Sequence, residues 1–368
     1  MTSIARRILS GIAVMLILCG ISWADIAYTT SDGGLGLIKI RGARATSVDV
    51  EGIKYQGSNT NPLIAPYWDN GSSRVILIER TNDDTTSGDK AYTFNPSDLS
   101  KPLNTEAKTL NGIYDTQSAV YSYNGRGLFL SSGTKITQVN TSDLNFVRSY
   151  DASRDYGAVH DVVVHNDRIH ALVDSGDTES ALFTFDGQLT SDNGNMSIRR
   201  IRHRATSMAL LNSRFSFAHS DGVYILDSVN ISSDNPVASF CSDTGNGFYC
   251  LTKDSAGNSE LMHYSATTSS FTRLFSGQSG ESLKVIRDTS YNILGAVTGG
   301  TIRLYNMTDD TLIGTYDSAT LGGTPLNMAL TSSSGSDGSS GSSSGCNASG
   351  MGMIAAGLCA LVMGRKRD

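Results

Sequence analysis

Tryptophan is nearly missing from these 368 residues, with only Trp23 and Trp68, and proline occurs six times. Charged residues make up 17% of the chain, and no segment keeps a helical apolar spacing. A long-helix or coiled-coil protein is thereby excluded, since such chains are rich in charge and heptads. The sequence also lacks a basic excess. Its formal net charge is −6, the wrong sign for a surface that neutralises phosphates, so no nucleic-acid partner is expected. No apolar run reaches the ~20 residues that span a bilayer as a permanent helix. Local catalytic signatures are absent as well. Between residues 25 and 330 there is no G-x-S-x-G elbow, no H-E-x-x-H pair, no Walker loop and no G-x-G-x-x-G opening a helix.

What remains is glycine (38 residues), tyrosine (15) and many short apolar runs between polar clusters. The two ends read as addresses. Arg6 and Arg7 precede an apolar run from Ile8 to Ile21, and Ser22-Trp23-Ala24 then places small residues before Asp25. That order is a secretory signal peptide covering residues 1–24. Residues 331–345 are almost pure Ser and Gly, a flexible linker. Cys346-Asn347-Ala348-Ser349-Gly350 follows, then the apolar stretch Met351–Gly364, then Arg365-Lys366-Arg367-Asp368. Fourteen apolar residues cover about 21 Å as a helix, short of a ~30 Å hydrocarbon core.

A Ser/Gly linker, Cys-Asn, a short apolar helix and a basic end resemble the C-terminal protein-sorting domains of Gram-negative bacteria, above all the Synergist-CTERM type. The resemblance covers residues 346–368. It implies an intramembrane protease as a processing partner, with Cys346 and Asn347 at the cleavage or attachment site. A plain short anchor is the other reading of the same residues. Both ends direct the chain out of the cytoplasm, to the surface, the outer membrane or the medium. The part left between them carries about ten more acidic than basic residues.

Residues 25–330 read as a repeat. A strand ending in an apolar residue, followed by a polar turn and another strand, recurs seven times. The anchor residues are Ile40, Phe94, Val139, Phe185, Leu226, Tyr264 and Tyr305, spaced 38–54 residues apart. Blades of a β-propeller recur at ~40–50 residues with four strands each. The first unit supplies only three strands, and Pro325–Leu330 is left over before the linker. The expected fold is therefore an all-β, seven-bladed propeller closed by pairing its last strand with its first, with a short hydrophobic helix at the C-terminus. Six or eight blades and a pair of stacked β-sandwiches are the competing architectures.

Candidate chemistry is sparse. Cys241 and Cys250 flank Gly245-Asn246, and a hairpin centred there places them opposite each other. In an oxidising compartment that predicts a disulfide. His160 and Asp161 fall on an innermost strand and are the channel candidates. His160, His165 and His170 are spaced by five, which a strand of period two does not bring onto one face, so no metal site is assigned to them. Asn82-Asp83-Asp84 with Asp89 offers oxygen ligands for calcium without the ordered spacing of a calcium loop. Arg199, Arg200, Arg202, His203 and Arg204 read as charge guarding a sheet edge. The functional expectation is an exported, non-catalytic binding or scaffold module for a protein or glycan, with no cofactor. The alternative is a lactonase-like hydrolase with a divalent metal in the channel, whose ligands would come singly from different blades and leave no local motif.

Overall fold

The computed structural model describes residues 24–331 except 42–46, 59–61, 70–71, 82–87, 123–126, 187–188, 190–195, 229, 244–245, 278–283, 289–291 and 299. The expected signal peptide, linker, sorting tail and C-terminal apolar helix fall outside the described residues, as do Cys346, Asn347 and the candidate ligands Asn82, Asp83 and Asp84.

Seven four-stranded antiparallel sheets form the ring. Blades 2 to 7 each take four consecutive strands, beginning with the innermost strands Pro62–Asp69, Thr116–Ser122, Val159–His165, Ala205–Leu211, Val237–Ser242 and Lys284–Asp288. Blade 1 is composite. Its innermost strand is Pro325–Leu330, which pairs with Ala24–Thr30, followed by Gly34–Arg41 and Ser47–Gln56. The orphan strand thus closes the ring, with Ala27 opposite Ala329 and Tyr28 opposite Met328. The junction is locked from inside. The Tyr28 hydroxyl donates to the Leu321 carbonyl at 2.7 Å, and burial pushes this phenol up to about 12. The Tyr28 ring lies across Gly36, where an added Cβ would meet it at 2.1 Å, so only glycine fits.

The sheets stand radially, so each is covered on both faces. Seven apolar clusters fill the seven junctions between neighbouring blades. This is why inner strands such as Val75–Ile78 are unbroken apolar runs, while the outermost strand Phe146–Asp151 alternates towards solvent. The seven sequence anchors all fall on or just past the third strand of their blade. The only described helix is Ser318–Leu321, four residues long, and no described helix could cross a membrane.

The expected disulfide is not formed. Cys241 and Cys250 are both buried and are not joined to each other. Cys241 pairs with Tyr249, and Cys250 with Phe240, so the two are offset by one residue. The cause is the turn. Asp243 and Gly247 close a five-residue loop, Asp243 N–H donating to the Gly247 carbonyl at 3.1 Å, which centres the hairpin half a residue before the Gly245-Asn246 dipeptide. A one-residue slip puts the thiols on opposite faces. Cys241 packs between blades 6 and 7, and Cys250 between blades 5 and 6.

Candidate functional site at the channel mouth

An innermost strand is an open sheet edge, and this ring modifies it in the same way five times. In blades 1, 3, 4, 5 and 6 the pairing of the innermost strand shifts by one residue near its start. The extra residues are Leu326, Gln117, His160, Thr206 and Ala238. A bulge re-aims the extra side chain and ends local pairing. Each of the five is partly or fully exposed, while the residues on either side of it are buried. Because all five sit at the entry end of an innermost strand, they form a collar at one mouth of the channel. His160 is the only ionisable member.

His160 is held in place. Its Nε2 lies 2.8 Å from Oδ1 of Asp174, at the end of the second strand of the same blade. Asp174 is nearly buried, with 12% of its side chain exposed, and its Oδ2 accepts from Arg204 at 3.4 Å. Arg204 lies on the connection into blade 5 and is half-exposed. Gly157 leaves room for this carboxylate, since a Cβ there would come within 2.9 Å of Asp174 Cβ. The result is an imidazole with one nitrogen on a buried carboxylate and the other left to act as an acceptor, beside a guanidinium.

A second polar cluster lies on the same rim. His203 stacks on His219 at 4.3 Å and 20°. Nδ1 of His219 accepts from the Asp221 N–H at 3.1 Å, so Nε2 carries the proton it donates to Asn230 Oδ1 at 2.8 Å. Burial first, and then the neighbouring His219, hold His203 below the ordinary histidine value.

The other channel candidate, Asp161, has a different surrounding. It is 1% exposed, and its carboxylate accepts from the N–H of Val162 and from the N–H of Met208 on the next innermost strand. It fastens blade 4 to blade 5. Equivalent positions are Ser118, Ser207, Ser239 and Asn327, all small, polar and buried. The remaining histidines do not join His160. His165 and His170 lie together at the far end of the blade, their rings 6.4 Å apart and both against Phe215. Burial lowers His170 to about 4. Asp89 turns inward, where its two oxygens accept from the N–H and hydroxyl groups of Thr81 and Thr116 and from the Asp115 N–H. Arg199 and Arg200 are exposed on the outermost strand of blade 4, Arg199 paired with Asp227.

The described residues do not suit a channel metal. They contain no group of three or more His, Cys, Asp or Glu able to hold one, and at the mouth Nε2 of His160 and Oδ1 of Asp174 are directed at each other.

Asp174, the pairing of Arg204 with it and the bulge collar as a set leave no mark in the sequence. The collar residues share no residue type, and the His160–Asp174 contact depends on a strand register that no motif announces. The only available signal was a polar residue after each bulge position, visible once the strands are aligned.

No family model matches this chain, and no curated protein does. Solved structures do resemble it. A putative 6-phosphogluconolactonase from Bacteroides fragilis aligns with TM-score 0.58 at 12% identity, over 84% of this chain and 98% of that one. The periplasmic gluconolactonase of Pseudomonas aeruginosa aligns with TM-score 0.55 at 13% identity, over 84% and 99%. A putative 6-phosphogluconolactonase from Bacteroides uniformis gives 0.53 at 12% identity, over 84% and 100%. Likeness at this identity shows the propeller fold. Against the expectation of a non-catalytic binding or scaffold module, these three resembling propellers are described as lactonases, two of them as putative ones.

Proposed function

We propose that this chain is an exported, lactonase-like hydrolase whose reacting centre is the channel mouth around His160. The observation that carries the reading is the pairing of His160 with buried Asp174, on the one collar position that can ionise. Asp174 fixes the ring through Nε2, so Nδ1 faces the mouth as a general base. In the reaction, water adds to the lactone carbonyl carbon as its proton passes to Nδ1. The carbonyl carbon–ring oxygen bond then breaks, and the proton returns from His160 to the departing ring oxygen, giving the open hydroxy acid. Arg204, which donates to Asp174 Oδ2, would supply the guanidinium that stabilises negative charge on the carbonyl oxygen. No step passes through a metal.

The test is lactone hydrolysis followed by acid release, with δ-gluconolactone and its 6-phosphate as probes. The purified propeller is expected to accelerate one of them above buffer. His160→Gln is expected to lower kcat/KM by about 10²–10⁴, the usual share of general-base catalysis. Wild-type rates equal to buffer, or a His160→Gln variant as fast as wild type, would overturn the reading.

The ends support export. The charged, apolar, small-residue order of residues 1–24 suits cleavage before Asp25, and the tail suits processing near Cys346 and Asn347 by an intramembrane protease. The intact mass of protein purified from its native host checks both. A species running from Asp25 to the region of Cys346 is expected, and one retaining Asp368 would contradict tail processing.

A further inference from the structure

Another histidine, half-buried, has two carboxylates, and it lies at the opposite rim from the mouth. His263 is on the third strand of blade 6, Ser259–Ser265. Its Nδ1 is 2.6 Å from Oδ2 of Asp310, on the turn between the third and fourth strands of blade 7. Its Nε2 is 3.2 Å from Oδ2 of Asp243, on the first hairpin loop of blade 6. The ring stacks on Tyr249 of the adjoining strand at 4.2 Å and 19°, and the Tyr249 hydroxyl donates to the other Asp310 oxygen at 2.7 Å. All three charged side chains are largely withdrawn from solvent, with 18%, 12% and 26% exposed.

A carboxylate only accepts hydrogen bonds, so an imidazole between two of them satisfies both only when both nitrogens carry protons. The neutral ring donates to one and leaves the other facing a lone pair. We propose that His263 is a pH-dependent latch: its imidazolium ties blade 6 to blade 7, and its deprotonation releases that junction. The groups that face it are Asp243 from the blade 6 loop, Asp310 from blade 7 and Tyr249 from the neighbouring strand. The loop itself is set by Gly247, whose N–H donates to Asp243 Oδ1 at 3.0 Å and where a Cβ would strike the Tyr264 carbonyl at 2.0 Å. The same loop reaches the other way, Asn246 Oδ1 accepting from Asn212 of blade 5 at 3.1 Å.

Burial works to lower the His263 value, but the hydrogen bonds and charges of Asp243 and Asp310 prevail and hold it above the ordinary one. The sign follows. A histidine raised on folding contributes fully below its unfolded value near 6.5, and that contribution is lost as pH rises through the folded value. The latch is closed in acid and opens towards alkali.

The junction contains its own reporter. Cys241 is buried between blades 6 and 7, and Cys250 between blades 5 and 6. Opening the latch exposes the first and not the second, and the ratio of their labelling rates cancels the pH dependence of thiol chemistry. The full chain is pulsed with iodoacetamide from pH 6 to 9, and each site is read by peptide mass spectrometry. In the wild type the Cys241:Cys250 ratio is expected to rise with pH as His263 loses its proton. In His263→Gln it is expected to be high at pH 6 and flat. Asp310→Asn, which keeps a side chain suited to the left-handed backbone at this position (φ 58°), is expected to move the rise to lower pH. A flat wild-type ratio, or an Asp310→Asn profile that coincides with wild type, would overturn the latch.

Discussion

Single polar side chains do much of the fastening in this ring, and they do it from buried positions. Asp89 is the clearest case. It is fully buried and takes five donors from two segments that flank the junction of blades 2 and 3. Asparagine in its place presents an N–H₂ to some of those donors and removes the charge that strengthens the rest. Asp89→Asn is expected to lower stability by about 3 kcal/mol, since hydrogen bonds to charged groups are worth ~1.5–3 kcal/mol each and only part of the set is lost. Urea unfolding checks this, through a lower midpoint at an unchanged slope. Asp161 illustrates how residue type alone misleads. A carboxylate on an innermost strand suggests a channel ligand, yet here it accepts from two backbone N–H groups and joins two blades. His160 and Asp161 are adjacent in sequence and opposite in role. The bulge between Val159 and Asp161 separates them, turning one towards the mouth and the other into the wall.

At the scale of strands and hairpins, apolar patterning located the elements while hairpin register escaped it. The third strand of each blade was legible because it ends in an apolar residue before a polar turn, from Ile40 to Tyr305. The closing strand Pro325–Leu330 was legible because nothing else in the chain could pair with it. The five bulges were not, since they arise from fitting radial strands around a channel and leave no common residue. Register is set by loop geometry, and at Asp243–Gly247 the loop is one residue longer on one side than a dipeptide turn implies. That single residue separates Cys241 from Cys250. The protein between Asp25 and Thr331 is therefore expected to keep the same intact mass with and without reductant. A gain of ~2 Da on reduction, the mass of two hydrogens, would contradict the register.

The whole molecule is a ring whose two faces carry different chemistry. One holds the bulge collar with His160, Asp174 and Arg204. The other holds the His263 latch and the exit of the chain at Thr331. The closed ring was readable from sequence as seven units and an orphan strand. The site was not, because a propeller draws its mouth from segments far apart in the chain, and Arg204 is 44 positions from His160. The lactonase reading stands or falls on whether the His160 imidazole itself is the base. Its most direct test is the hydrolysis rate of the favoured lactone by His160→Ala with free imidazole added, corrected for imidazole acting alone. The rate is expected to collapse in the variant and to be partly restored, saturably, as imidazole fills the vacated position. A variant that hydrolyses the lactone at the wild-type rate, or one that imidazole leaves inactive, would contradict it.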